Sequence, residues 1–294
     1  MAHRHKRVFS KLGECRRRNS RRSRCNRGAS LMIWCAYCQQ FQGEAPPYDR
    51  YLVSHGLCLP CSKKGLDFSM EQMDQAHRLR TLQEQLRIAG QEYDLPLARR
   101  LIMDAVGIGV RPVDILLGLI TPLLYELGQE WEAGTVTVAE EHRFTKFCEQ
   151  VLELISTWMH ERPSNAFRSD KPTVLLLNAK GNLHSLGLQM VHLSLYSHGI
   201  RSEIVRGSLL PRQVLEKIEI VQPKVLGISV AVAEDVSWLR DAAEAVMTLA
   251  ENRRPVLVVG GFAVHEGKVQ AIKGARLFTE FGSIRSLVNE CLNV

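Results

Sequence analysis

Apolar positions fall at helical spacing through the first half of the chain and in short continuous runs through the last third. Met70, Met73, Leu79, Leu82 and Leu86 follow Ser69 and Gln72, which form a capping-box pair, and predict a first helix. Asp94 is placed to cap a second helix carrying Leu97, Leu101, Ile102 and Ala105, which ends near Gly107 to Gly109. A third runs from Pro112 to Trp131, with Pro122 predicting either a kink or a first-turn position after a break. Thr137 and Glu140 form another capping box, opening a helix to about His160. Four helices with short connections read as an antiparallel bundle. After a linker-like stretch, Arg162 to Asp170, the texture changes to β-branched runs at Thr173–Asn178, Ser202–Val205, Lys224–Val232, Pro255–Val259 and Ala275–Thr279. Helices fit between them at Leu186–Ser197, Pro211–Val221, Val236–Glu251 and Ser283–Leu292. Fully apolar strands alternating with helices indicate a parallel sheet covered on both faces. Five strands suit the flavodoxin-like (Rossmann-like) α/β order 2-1-3-4-5, which places a ligand beyond the carboxyl ends of strands 1 and 3.

Composition excludes several classes. With 294 residues, 45% apolar and 23% charged, the chain is neither disordered throughout nor a small disulfide scaffold. Its longest apolar stretch, Ile115 to Tyr125, is 11 residues long, where a spanning helix needs about 20. The net charge of +7 is a local property: residues 1–31 hold 11 Lys/Arg against one acid, and the remaining 263 hold 27 bases against 30 acids. Three readings of this basic tail stay open: an arm attracting nucleic acid or anionic lipid, a targeting leader, or a segment preceding a native start at Met32, the last slightly favoured. No apolar core follows the charges as in a secretory signal, so a cytoplasmic location without structural disulfides is expected.

Four of the eight cysteines fall as Cys35-x-x-Cys38 and Cys58-x-x-Cys61. Two such knuckles suit a tetrahedral Zn2+ site, each presenting two thiolates to one cation, with His55 able to replace one sulfur. A redox pair or four unconnected buried thiols are the alternatives. Cys15, Cys25, Cys148 and Cys291 show no pattern. The segment Ser54-His55-Gly56-Leu57-Cys58-Leu59-Pro60-Cys61 resembles a zinc-ribbon-like four-cysteine element appended to some bacterial signalling proteins, which implies a structural or regulatory role.

Chemistry-bearing residues gather past the strand ends. The loop after strand 1 reads Asn178-Ala-Lys-Gly-Asn182-Leu183-His184-Ser-Leu-Gly187; Ser229 follows strand 3, and Gly260-Gly261 closes strand 4. An imidazole, a hydroxyl and two glycine clusters thus meet at the switch-point edge, the glycines permitting close approach of a bulky group. Asn182-Leu183-His184-x-x-Gly187, then Ser229, then Gly260-Gly261 resembles the corrinoid-binding pattern of cobalamin (B12)-binding proteins, over about Pro172 to Val294. Trp131, Glu141 and His142, as Trp-x9-Glu-His in the bundle, are similar to the cap of light-sensing cobalamin-dependent transcriptional regulators. Lys180-Gly181-Asn182-x-His184-x-x-Gly187 also matches the photosynthesis-gene antirepressors of purple bacteria, which bind cobalamin or, in relatives, haem.

The resemblance implies His184 as the lower axial cobalt ligand. It further implies a tail channel lined by Gly187, Ser229, Gly260 and Gly261, and an upper face covered by Trp131 and bordered by Glu141 and His142. Departures matter. The usual Asp or Glu two before the histidine is Asn182, which orients the ring without adding charge and predicts a more easily exchanged His–cobalt bond. Val230-Ala231 follows Ser229, so the usual Leu is missing. Glu132 stands where light-sensing repressors can carry a second cobalt-capturing histidine.

The expected organisation is a basic tail (1–31), a four-cysteine element (32–66), a four-helix bundle cobalamin cap (67–165) and a Rossmann-like cobalamin-binding domain (170–294). The expected function is a light- or redox-responsive, non-enzymatic sensor loaded with adenosyl-, methyl- or hydroxocobalamin. It would regulate transcription through a transcription factor or other protein partner, or by self-association. Because residues 32–66 leave no room for a helix-turn-helix domain of the usual length, nucleic acid would be met only through the tail. The alternatives are a corrinoid carrier for methyl transfer, a haem-binding sensor using the same cleft, and a degenerate interaction module.

Overall fold

In the computed structural model, the described residues are 31–45, 51–64, 70–161, 167, 169–182, 185–231, 236–279 and 287. The basic tail, Leu183, His184 and the expected helix Ser283–Leu292 apart from Leu287 therefore lie outside them, as does Ser69 of the first capping box.

The helical half forms from the signals its sequence carries. α2 (Met70–Glu92) is followed by Asp94, whose carboxylate accepts the Leu97 N–H at 2.9 Å and starts α3 (Leu95–Gly107). α6 (Val138–Glu161) opens on Thr137 and Glu140, bonded reciprocally: the Thr137 N–H meets the Glu140 carboxylate at 2.8 Å, and the Glu140 N–H meets Thr137 Oγ1 at 3.3 Å. The long third helix is divided into α4 (Pro112–Ile115), a π-helical turn (Leu116–Ile120) and α5 (Thr121–Glu132). Pro122 directly follows the π-helical turn, where the Thr121 N–H bonds the Leu116 carbonyl and the backbone stays helical, so a wider turn and not a break accommodates the residue without an N–H.

The cysteine segment contains structure that periodicity did not predict. β1 (Leu31–Cys35), β2 (Phe41–Ala45) and β3 (Leu52–Gly56) form a sheet of order β2-β1-β3, and α1 (Leu59–Lys63) carries Cys61. Apart from a small cluster of Cys35, Cys58 and Cys61 with Leu57, the sheet shares the bundle's core. Met32, Trp34, Phe41, Tyr51 and Val53 are buried in one cluster with Leu79, Leu86, Ile115 and Leu119 of the bundle. Trp34 and Phe41 lie against Gly118 in the π-helical turn, where any Cβ would overlap both rings.

The carboxy-terminal half is the all-parallel, five-stranded sheet expected, in order β5-β4-β6-β7-β8. Its strands are β4 (Val174–Asn178), β5 (Ser202–Ile204), β6 (Val225–Ser229), β7 (Val256–Gly260) and β8 (Ala275–Leu277). β6 and β8 are shorter than their apolar runs. The intervening helices are α7 (Leu186–Ser197), α8 (Pro211–Val221), α9 (Val236–Met247), which is shorter than expected, and α10 (Phe262–His265), which the sequence pattern does not predict. Alternate residues serve two cores: Val174 and Leu176 of β4 join the bundle and α7, whereas Leu175 and Leu177 pack with Trp238, Leu239 and Val264. The bundle is thus bound to one face of the sheet through α7. No described helix is long and apolar enough to cross a membrane.

Candidate functional site

Strand register creates the floor of a cleft. Asn178 pairs with Ser229, and Ser229 with Gly260, so the last residues of β4, β6 and β7 stand in one row at the carboxyl edge. Above this row lies α5 with the start of α6, leaving a cleft of about 310 Å³. Its upper wall includes Leu124, Tyr125, Gly128, Trp131, Glu141 and His142; its lower wall includes Leu186, Gly187, Ser229, Ala231 and Gly261. A narrower channel of about 110 Å³ descends on the α7 face of the sheet past Leu176, Gly227, Val258 and Gly260. The two spaces share Tyr125, Gly187, Ser229 and Gly261, and both walls are mainly apolar. A broad cleft adjoining a narrower shaft suits a large group with an appended tail.

The glycines divide by role. A Cβ on Gly187 would meet no atom of the described residues within 4 Å, so its missing side chain leaves space there. Gly260 would make only ordinary contact, its Cβ 3.5 Å from the Phe278 carbonyl oxygen. Gly261 is demanded by the backbone: its φ is +106°, and a Cβ would stand 2.5 Å from the Val230 carbonyl oxygen. The reading that both glycines merely leave room is thereby refined. Gly261 lets the turn cross the end of β6, where the Val230 N–H bonds the Gly260 carbonyl at 2.9 Å.

The remaining residues singled out from the sequence are largely brought together. Asn182 is buried, its side-chain N–H groups donating to the Ser229 carbonyl at 3.2 Å and to Asn178 Oδ1 at 3.4 Å. Leu183 and His184 follow it, outside the described residues. Trp131 is 47% exposed, unusual for an indole, and faces the cleft. Glu141 accepts from Thr145 Oγ1 at 2.8 Å and lies 3.5 Å from His142 Nε2. Glu132 pairs across the cleft mouth with Lys268, whose ammonium also lies 5.5 Å from the centre of the Phe262 ring. Sequence reasoning did not find Lys268, nor Tyr125 and His265, whose rings stack at 4.3 Å and 15° beside the channel. No local pattern marks them, because their partners come from distant elements. Burial pushes the Tyr125 phenol well above its usual range, so it lines the cleft as a neutral group.

At the far end of β3 the four thiols of Cys35, Cys38, Cys58 and Cys61 converge, every Sγ within 4.8 Å of the others. None is in a disulfide, and all but Cys38 are buried. Cys38 Sγ and Cys58 Sγ are 3.8 Å apart, the edge length of a tetrahedron built on metal–sulfur bonds of about 2.3 Å. Burial pushes the Cys35 thiol up, but the backbone N–H groups of Cys38, Cys58 and Tyr37 outweigh it and hold Cys35 at about 7. His55 is not part of this group; burial, with Arg80 adding to it, lowers its imidazole to about 4.

Comparison with known proteins matches this geometry. Residues 82–156 match one B12 binding domain family and residues 172–275 a second. The chain is 26% identical over 184 residues to the HTH-type transcriptional repressor CarH of Myxococcus xanthus, covering 62% of this chain and 58% of that one. It is 22% identical over 138 residues to trimethylamine corrinoid protein 1 of Methanosarcina mazei, covering 47% and 63% respectively. The chain thus spans about three-fifths of the length of these curated relatives. Among solved structures, the monomethylamine corrinoid protein of Methanosarcina barkeri superposes with a TM-score of 0.58 at 16% identity, over 69% of this chain and 95% of that one, a likeness of fold. Every residue lining the cleft falls within one or the other matched stretch. Two B12 binding domains, together more than half of the sequence, close on one cleft from opposite sides, and the chain belongs to the cobalamin-binding protein family.

Proposed function

We propose that this chain is a cobalamin-loaded sensor that regulates transcription through a protein partner. The observation that carries the reading is a pair of adjoining spaces with four lining residues in common, a cleft bordered by Trp131 and a shaft running down the sheet. On this reading His184, two residues after Asn182 in the sequence, would be the residue that ligates cobalt. Asn182, anchored to Ser229 and Asn178, holds the loop after β4 to the sheet and orients the imidazole without adding charge. Gly187, Ser229 and Gly260 border the shaft that takes the nucleotide tail. Trp131 covers the upper face, with Glu141 and His142 beside it. Bound alkylcobalamin supplies a weak, light-labile cobalt–carbon bond on that upper side. Trp131, half exposed, and the start of α6 line the cleft, so they answer to what stands there. A change at that face shifts the bundle between two seatings, and the partner, or a second copy of the chain, reads the difference. The four-cysteine cluster holds Zn2+ in a structural role, fixing the small sheet against the bundle.

The test is to load the purified chain with hydroxo-, methyl- and adenosylcobalamin in the dark, illuminate it, and follow absorbance and molecular mass. Uptake is expected with all three, and with the alkyl forms a light-driven spectral change accompanied by a change of assembly. An unchanged spectrum and unchanged mass would remove the sensor reading. His184→Ala is expected to bind weakly or to give a base-off spectrum; an unaltered holo spectrum would remove His184 as ligand. The likeness to the trimethylamine corrinoid proteins favours a second reading, a corrinoid carrier, whose upper face must open to methyl donors. Chemical reduction followed by a methyl donor separates the two, since a carrier is methylated and a capped sensor is not. Absorbance distinguishes haem from either.

A further inference from the structure

The element that carries the thiols also reaches the channel. Tyr51, directly before β3, is 1% exposed, and its hydroxyl lies 3.1 Å from His265 Nε2. His265 Nδ1 lies 2.8 Å from the Thr279 carbonyl oxygen. A carbonyl can only accept, so the neutral ring carries its proton on Nδ1, and Nε2 receives the Tyr51 O–H. Gln129 of α5 donates to the same hydroxyl at 3.3 Å, and Gln83 of α2 donates to the Tyr51 carbonyl at 2.8 Å. One tyrosine therefore ties together the small sheet, two bundle helices and α10. That tie bears on the channel directly. His265 ends α10, whose N-cap is Gly261, and Tyr125 stacks on the His265 ring. Tyr125, Gly261, His265 and Thr279 all line the channel.

We infer that Tyr51 and His265 are positioning residues that hold this wall, and so set the preference for a corrinoid with a complete nucleotide tail over one without it. The inference rests on the corrinoid reading above. Tyr51 lies outside both stretches matched by the B12 binding domain families, so this support comes from the four-cysteine element. Removing the hydroxyl leaves His265 Nε2 without its donor and frees α10 to shift, which deforms the shaft, lined by His265 and Thr279, more than the broad cleft, which α10 borders only through Gly261 and Phe262.

The experiment titrates the full chain, followed by absorbance, with hydroxocobalamin and with cobinamide, which lacks the nucleotide. Tyr51→Phe keeps the ring and its packing. It is expected to weaken hydroxocobalamin binding about tenfold, the scale of one buried hydrogen bond, and cobinamide binding by less. His265→Gln is the second variant, with the same selective loss expected. Equal losses for both corrinoids, or no loss for either, would overturn the inference. Wild-type chain that binds both equally would also overturn it while sparing the corrinoid reading. Wild-type chain that binds neither would end that reading itself.

Discussion

Glu126 shows how a single side chain carries the cost of the bundle's tight packing. It points from α5, on the side away from the cleft, toward Arg87, which lies 4.0 Å from it and 3.6 Å from Glu130. Burial pushes the Glu126 carboxyl up to about 6; Arg87 opposes this, and Glu130 and Glu84 add to it. The folded state therefore holds this proton more tightly than the unfolded chain, whose ordinary value is 4.5. Its contribution is complete below pH 4.5 and is lost as pH rises through 6. Glu126→Gln removes the penalty of charging, while Arg87 retains Glu130. The variant is expected to be more stable than the parent by about 1 kcal/mol at pH 8, with the difference vanishing near pH 4.5. Urea denaturation at both pH values checks it, and a gain of equal size at both would contradict the assignment.

At the scale of elements, the contact between the four-cysteine sheet and the bundle rests on a missing side chain. Gly118 lies in the π-helical turn, whose extra residue per turn presents it to Trp34 and Phe41. The Trp34 indole N–H is buried without a partner among the described residues, so packing alone seats the ring. Gly118→Ala places a methyl group inside that contact. The expected loss is about 1–3 kcal/mol, read by chemical denaturation. Faster reaction of Cys35, Cys58 and Cys61 with a thiol reagent in the metal-free chain should accompany it. An alanine variant with unchanged stability and thiol protection would mean that the two elements are not coupled there. The four-cysteine cluster was legible because knuckle spacing is local. Its docking was not, because a glycine in an apolar helix carries no sign of the indole that needs it.

Across the whole molecule, the bundle and the sheet meet along α7 and again at the cleft mouth, where Glu132 and Lys268 pair. Both side chains are more than a third exposed, so their coupling in a double-mutant cycle should be no more than about 1 kcal/mol. Its position gives it leverage on opening. Lys268→Gln is expected to speed release of bound hydroxocobalamin severalfold at low salt, the difference closing as ionic strength rises and screening takes over. A release rate insensitive both to the substitution and to salt would remove the latch. Glu132 also stands where the resemblance allows a second cobalt-capturing histidine, and the structure gives that position an ion pair instead.

Much of this protein was determined by sequence alone, wherever the causes are local. Helix caps at Asp94 and Thr137, the β/α alternation and the knuckle spacing each act over a few residues, and the strand order is the one that five such alternating strands suit. The gathering of Ser229, Gly260 and Asn178 at one edge was legible for the same reason, since parallel register aligns strand ends. Tertiary structure decided the rest. Only folding brought Tyr51, Tyr125 and His265 to one wall, set Glu132 against Lys268, and made Gly261 a backbone necessity beside Val230. Those contacts join residues up to 214 apart in the chain. Their energies come from faces and hydrogen bonds that exist only once three elements have packed, and no short-range pattern can encode them.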